Sequence, residues 1–217
     1  AGWLEIDDAG HKSQIGITRV HLEEDTAKLL HRSGEHDGNY SLVDLNRAGT
    51  PLMEIVGEPD LRSPEEARLY LVKLHSIVQY LGVSTGNMQE GSFRCDANVS
   101  IRPEGSSDLP TAKVEVKNMN SFRAVFRALE FEVTRQQQVI ESDERVVQET
   151  RGWNETRGIT VSQRSKEYAH DYRYFPEPDL PPLVLNSAWI EELKQNLPEL
   201  PETKQARFQT EYDLNPY

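Results

Sequence analysis

The chain has 217 residues, enough for one large domain or a domain with an appendage, and roughly 70% of its unfolded surface can be buried without staples. Its 36 acidic against 24 basic side chains give a net charge of −12, which excludes holding a phosphate backbone by bulk charge, though a local basic patch or a partner subunit can still touch RNA. The single cysteine, Cys95, excludes an internal disulfide, and no apolar run approaches the ~20 residues of a membrane span.

The opening, AGWLEIDDAG, has no initiator Met and no secretory-leader pattern, and it enters a strand-turn pattern at once, as expected of a piece whose own amino-terminal part is missing. Trp3 to Asp8 and Gln14 to Glu24 read as a hairpin around the turn Ala9-Gly10-His11-Lys12. In the second arm Thr18, Val20, Leu22 and Glu24 fall on one side, and Arg19, His21 and Glu23 on the other. Glu24 therefore ends an apolar row, either as the strand's solvated end or as a charge aimed at a cation. Residues 31–39 read as a polar loop, because His31 and His36 lack the partners of a closed metal pattern.

Ser41 to Asn46 and Pro51 to Val56 are expected as short strands around Arg47-Ala48-Gly49-Thr50. Glu54 lies between Met53 and Ile55 in an apolar strand, and a buried lone carboxylate costs several kcal/mol, so a metal ion or an Arg is expected to compensate it. Ser63 caps a helix with Pro64 as its first residue and Glu66 closing a capping box; Ala67, Tyr70 or Leu71, Leu74, Ile77, Val78 and Leu81 form its buried stripe, and Gly82 ends it.

After the loop from Ser84 to Gly91, the stretch Ser92 to Pro103 organises the middle of the chain. Phe93, Cys95, Ala97, Val99 and Ile101 alternate with Arg94, Asp96, Asn98, Ser100 and Arg102, giving one core face and one fully polar face. Cys95, on the apolar side, reads as a small hydrophobe of a reducing compartment rather than a nucleophile. From Ala112 to Asn118, Ala112, Val114 and Val116 oppose Lys113, Glu115 and Lys117. Paired side by side, the two strands would merge their polar faces. That surface is either an ordinary half-exposed antiparallel sheet, the commoner case, or the floor of a cleft that handles phosphate and metal.

Residues 118–121 cap a second long helix, with Phe122, Val125, Phe126, Leu129, Val133 and Ile140 as its stripe, and the strand-helix junction puts amide N–H groups beside the polar face, an anion seat. VVQETRGW and GITVSQRS form a hairpin around Asn154 to Gly158. Pro176, Pro178, Pro181 and Pro182 impose an extended path on the aromatic-rich run that follows, and Ser187 to Tyr217 is two short helical patterns separated by Pro198 to Pro201. The expected fold class is α+β, an antiparallel sheet with flanking helices.

The runs HLEED (21–25), SLVDLNRAGTPLMEIV (41–56), EGSFRCDANVS (90–100), EVKNMNSF (115–122) and DYRYFPEPDLPPL (171–183) resemble, in order and over nearly the whole chain, the B-subunit family of the tRNA-dependent amidotransferases (aspartyl/glutamyl-tRNA(Asn/Gln) amidotransferase). The resemblance implies a ligase forming a carbon-nitrogen bond. Such enzymes phosphorylate the side-chain carboxylate of Glu on tRNA-Gln or Asp on tRNA-Asn with ATP, then replace the phosphate with ammonia released from glutamine by the amidase subunit. It also implies a cradle domain similar to the glutamine synthetase and guanidino kinase fold, here residues 1–186, with 187–217 leading towards a helical domain. Mg²⁺ and ATP are the implied cofactors; the amidase (A) subunit, the small C subunit and misacylated tRNA are the implied partners. The location would be the bacterial cytoplasm or an organelle matrix or stroma.

Carried over by motif, Glu24 and Glu54 match catalytic carboxylates that bind Mg²⁺, with Glu23 a weaker neighbour. Arg94, Asp96, Asn98, Glu115, Lys117 and Asn118 share the motifs, and roles as phosphate or nucleotide contacts, or as support behind them, follow from the polar face. Asp171, Arg173 and Tyr174 fit packing and a subunit interface. Family members open with a strand bearing Glu-Val-His after Gly-Leu and continue past Tyr217 into tRNA-binding domains. The chain alone is therefore expected to be an incomplete site with weak or absent activity. Two other readings remain open: a scaffold that only docks partner subunits, and an ATP-dependent ligase acting on a free amino acid.

Overall fold

A computed structural model of the chain describes residues 2–34, 38–106, 110, 112–165 and 184–215. The chain divides into two compact units, 1–66 and 67–217, a boundary that falls in the first turn of a helix.

In unit 1, β1 (Gly2–Asp8) pairs antiparallel with β2 (His11–Glu24), and β2 pairs antiparallel with β5 (Pro51–Gly57). A separate hairpin joins β3 (Lys28–Gly34) to β4 (Gly38–Asp44). The polar run expected as a loop from residue 31 is thus largely strand; its alternation is masked because β4 exposes Tyr40, Leu42 and Val43 alike. The register of β2 against β5 steps from Ile17 opposite Gly57 to Arg19 opposite Val56, so Thr18 is an extra residue, a bulge. The step moves Val20 and Leu22, rather than Arg19 and His21, onto the face of Ile15 and Ile17, where they join Met53 and Ile55. Ile6 and Ile15 are buried on that face, but Val20, Leu22 and Met53 are 52%, 81% and 40% exposed.

The junction between β4 and β5 is tied to the end of β2 through Asp25. Its carboxylate accepts from Arg47 Nε at 2.8 Å, and its backbone exchanges hydrogen bonds with Gly49 and Thr50.

The helix α1 (Pro64–Tyr80) starts where the cap signal put it: the Glu66 amide donates to Ser63 Oγ at 3.0 Å. The reciprocal bond differs from a capping box, because the Glu66 carboxylate accepts from the Arg62 amide at 2.6 Å and from Ser13 Oγ at 3.3 Å. Ala67, Tyr70, Leu71, Leu74 and Val78 are buried, and Gly82 turns the chain off the helix with φ +67°.

Unit 2 is built on a four-stranded sheet in the order β6 (Ala97–Val99), β7 (Val114–Lys117), β8 (Glu149–Asn154), β9 (Ile159–Ser165). The β7–β8 pair is parallel, a departure from the expected all-antiparallel sheet. The reason is the connection: α2 (Phe122–Glu141) carries the chain back across the sheet, and a crossover of that length delivers the next strand in the same direction. α2 packs against β6 and β9. Its buried residues are Ala124, Val125, Ala128, Leu129, Glu132 and Gln136, while Ile140, expected in the stripe, is 50% exposed. Large side chains at Phe122, Phe126 and Val133 flank the interface rather than fill it, since small residues let helix and sheet approach closely.

His75 stacks edge-on against Phe93 and Phe122, with ring centroids 5.4 and 5.1 Å away, and its Nε2 donates to the Gly86 carbonyl at 2.9 Å. One imidazole thereby ties α1, the 84–93 segment and the start of α2 together. At the start of α2, Ser121 accepts from the Ala124 amide at 3.0 Å. Ser121→Ala is expected to cost unit 2 about 1 kcal/mol, read as a lower urea midpoint with an unchanged denaturant slope.

α3 (Ser187–Asn196) and α4 (Pro201–Tyr212) fall where the tail pattern put them. Arg207 joins Glu199 to Glu211 on α4, and Lys204 lies over the rings of Tyr80 and Phe208. No helix among the described residues is long and apolar enough to cross a membrane.

Candidate functional site

The alternation read in the sequence reappears in the structure residue by residue. Phe93, Cys95, Ala97 and Val99 are partly or fully covered, and Arg94, Asp96, Asn98 and Ser100 are exposed. Only Ala97–Val99 is hydrogen-bonded as strand, shorter than the expected span. The register sets Asn98 opposite Glu115, and Glu115 and Lys117 beside Thr150 and Gly152. These residues share the sheet face turned away from α2, so the polar faces of the two strands do merge.

At the centre of that face stands Lys117. Its Nζ lies 2.8 Å from an Asp96 oxygen and 3.4 Å from Glu115 Oε1. Burial pulls the ammonium's pKa down, but the hydrogen bond and charge of Asp96, followed by the charge of Glu115, outweigh it and leave the pKa raised. The lysine stays charged through any ordinary working pH. It is a fixed cation between two carboxylates, with its side chain 31% exposed.

Asn118, immediately after β7, adopts φ +65°, a left-handed conformation that Asn tolerates better than most residues. A Cβ at Gly152 would overlap the Gln163 carboxamide and come within 2.9 Å of Asn118 Nδ2, so the bare glycine lets both amide side chains lie over β8. Arg94 donates to the Gly91 carbonyl at 3.2 Å. Cys95 has its thiol pushed up to about 12 by burial and then by the charge of Asp96, so it is no nucleophile at neutral pH.

Glu24 and Glu54 lie in unit 1. Register places Glu54 opposite His21, on the face of Arg19 and Glu23, and Glu24 opposite Pro51, on the face of Leu22 and Met53. The two carboxylates point to opposite faces of the β2–β5 pair. Glu54 is also not buried: its side chain is 49% exposed and 3.6 Å from Arg19. The expectation of burial failed because Met53 and Ile55, its apolar sequence neighbours, turn to the other face of the strand. Among the described residues no group of three or more His, Cys, Asp or Glu side chains is placed to hold a metal ion. Glu24 and Glu54, on opposite faces, do not converge on a common divalent cation in this arrangement. Asp171, Arg173 and Tyr174 lie outside the described residues.

The sequence reading missed a second charged cluster, on the α2 side of the same sheet. Glu132 is fully buried and accepts from Arg135 at 2.6 and 3.0 Å, Gln136 at 2.9 Å and Thr160 at 2.9 Å. Arg151 reaches Glu149 at 2.6 Å and the Thr160 carbonyl at 2.9 Å, and its Nε is 3.6 Å from Glu132. Gln136 also donates to the Val99 carbonyl at 3.2 Å, stitching α2 to β6. The sequence signal was available: Ala124, Ala128, Glu132 and Gln136 repeat at the four-residue spacing of one helix face.

A family model described as the GatB/GatE catalytic domain matches residues 1–191. The chain belongs to the GatB/GatE catalytic-domain family. Among curated relatives in the GatB/GatE family, proteins named as the B subunit of aspartyl/glutamyl-tRNA(Asn/Gln) amidotransferase are similar along the whole of this chain. Those from Dehalococcoides mccartyi (strain CBDB1) and Carboxydothermus hydrogenoformans are 61% and 56% identical over 216 residues, which is 100% of this chain and 44% and 45% of theirs. The chain spans less than half the length of these relatives. The α+β architecture described above is therefore that of a GatB/GatE catalytic domain, with the Asp96, Glu115 and Lys117 cluster lying inside the matched region.

Proposed function

We propose that this chain is the part of a tRNA-dependent amidotransferase's B subunit that activates the side-chain carboxylate of Glu-tRNA(Gln) or Asp-tRNA(Asn) with ATP, and amidates it with ammonia supplied from an amidase subunit. The observation that carries the reading is the 61% identity to a protein so named along the whole of this chain. In this reading the chain works with an amidase subunit and a small third subunit, and with misacylated tRNA as substrate. The cradle fold, ATP and Mg²⁺ enter through the family likeness, since the geometry of Glu24 and Glu54 adds nothing to them.

The polar face of unit 2 lends physical support. Phosphoryl and acyl transfer depend on positioning and on charges fixed in advance. Lys117, clamped by Asp96 and Glu115, is a cation that costs little reorganisation when a negative oxygen develops near it. With a net charge of −12, the chain would rely on partner surfaces or a local patch for tRNA.

The test is a chimera in which residues 1–217 replace the matching stretch of the Dehalococcoides mccartyi relative, assembled with that organism's partner subunits. It is expected to form Gln-tRNA(Gln) from Glu-tRNA(Gln) in an ATP-dependent manner, at a rate comparable to the parent. A complex that assembles and yields no Gln-tRNA overturns the reading. It would favour the alternative of a docking scaffold, which the exposed apolar row of Val20, Leu22 and Met53 also fits.

A further inference from the structure

Lys117 and its two carboxylates stand on a surface, and surface side chains wander unless something beneath holds them. Thr150 lies beneath. It sits on β8 directly beside Glu115, is 2% exposed, and donates its hydroxyl to Glu115 Oε2 at 2.8 Å. The other Glu115 oxygen lies 3.4 Å from Lys117 Nζ. That buried hydroxyl therefore helps set the rotation of a carboxylate that meets the lysine from one side, while Asp96 holds the same Nζ at 2.8 Å from the other.

Thr150 is itself held from behind. The next residue, Arg151, turns to the opposite face and is locked by Glu149 and Thr160 beside the buried Glu132. Between Thr150 and Arg151 the register of β8 against β9 slips, leaving Gln163 as the extra residue. Consecutive strand residues face opposite sides, so Thr150 and Arg151 serve two different polar clusters, one on each face of the sheet.

We propose that Thr150 is a positioning residue for the amidation reaction: through Glu115 it fixes the Lys117 ammonium over the polar face. This inference rests on reading that face as the reaction surface, and it deepens the proposed function by naming what orients its central cation.

The test uses the chimeric complex with Thr150→Val, which keeps the shape and removes the hydroxyl, and Thr150→Ser, which keeps the hydroxyl. Thr150→Val is expected to lower kcat about 10- to 100-fold with KM little changed, because a reacting group displaced by about an ångström loses rate on that scale. Its thermal midpoint should fall by only a few degrees, and Thr150→Ser should restore kcat. A role confined to folding predicts instead that activity follows the folded fraction; that result, or a Thr150→Val complex with parental kcat, overturns the inference.

A second measurement separates this failure from failure of the functional reading. Trace acetylation of Lys117 at pH 9, followed by mass spectrometry, needs no turnover. Thr150→Val is expected to speed labelling, as the ammonium loses its oriented carboxylate, and Thr150→Ser to leave it at the parental rate. If the unmutated chimera makes no Gln-tRNA, the functional reading falls, and unchanged labelling in Thr150→Val then removes the positioning role as well.

Discussion

Truncating Glu132 to alanine is expected to destabilise unit 2 by about 3–5 kcal/mol, the range for removing one partner of a buried ion pair. The cost comes from what stays behind. Arg135 and Arg151, only 21% and 14% exposed at their side chains, keep their charges and lose the carboxylate between them, and Thr160 and Gln136 lose an acceptor. Urea unfolding followed by Trp153 fluorescence measures it, since that indole is 7% exposed in the same sheet. Removing Glu132 and Arg151 together, as Leu and Met, should cost less than Glu132→Ala alone, because Arg151 is no longer left charged beside the gap and Arg135 and Glu149, 4.0 Å apart, still face each other. A loss below about 1 kcal/mol for Glu132→Ala, the typical worth of an exposed pair, would show that water reaches the cluster and that it does not brace the sheet.

The same cluster sets a direction with pH. Burial raises the pKa of Glu149, but hydrogen bonds from Ser162 and Arg151 and the charges of Arg151 and Arg135 outweigh it and leave it lowered. A lowered carboxylate pKa contributes stability that is present above its unfolded value and is lost as pH falls through the folded one. Acid should therefore weaken unit 2 as pH falls from the ordinary carboxylate range down through the lowered pKa of Glu149, and Glu149→Gln should flatten that limb.

How far the sequence disclosed this molecule depended on whether a single strand or helix face decided the matter. The polar face was readable because Arg94 to Ser100 and Lys113 to Lys117 each alternate cleanly, and alternation alone brings Asn98 opposite Glu115 once the strands pair. The cap at Ser63 was readable for the same local reason. The exposure of Glu54 is hidden from a reading of one strand because Met53 and Ile55 are its neighbours in sequence only; its neighbours in space are Leu52 and Val56, and the cross-strand His21. The opposition of Glu24 and Glu54 depends on pairing register, which requires β5, a strand some thirty positions further on. The parallel β7–β8 pair and the pairing of Arg151 with Glu132 were out of reach for another reason: both exist only after α2 has crossed the sheet. A polar residue in a helical stripe announces itself, but the Arg that answers it does not.

Replacing Lys117 by methionine in the chimeric complex is expected to lower kcat for Gln-tRNA formation by about 10²–10³-fold, the usual loss when one preorganised charge-stabilising donor is removed. Methionine keeps most of the side chain's length and apolar stem and deletes only the charge. Asp96, at 50% exposure, then faces water, which limits the damage to folding. Lys117→Arg separates charge from shape: a planar guanidinium carries the charge but cannot occupy the compact position between Asp96 and Glu115, so partial activity is expected. Glutamine hydrolysis by the partner amidase should be unchanged in both variants, since it requires nothing from this face in the proposed division of labour. A Lys117→Met complex with parental kcat would reduce the lysine to a rung of the sheet, a salt bridge that joins β7 to the residue just before β6 and serves no substrate. A loss confined to KM would mean that the cation binds ground state and transition state alike. Only a loss in kcat identifies a charge that matters more as the reaction proceeds, and a cation clamped in place before any substrate arrives is built for that.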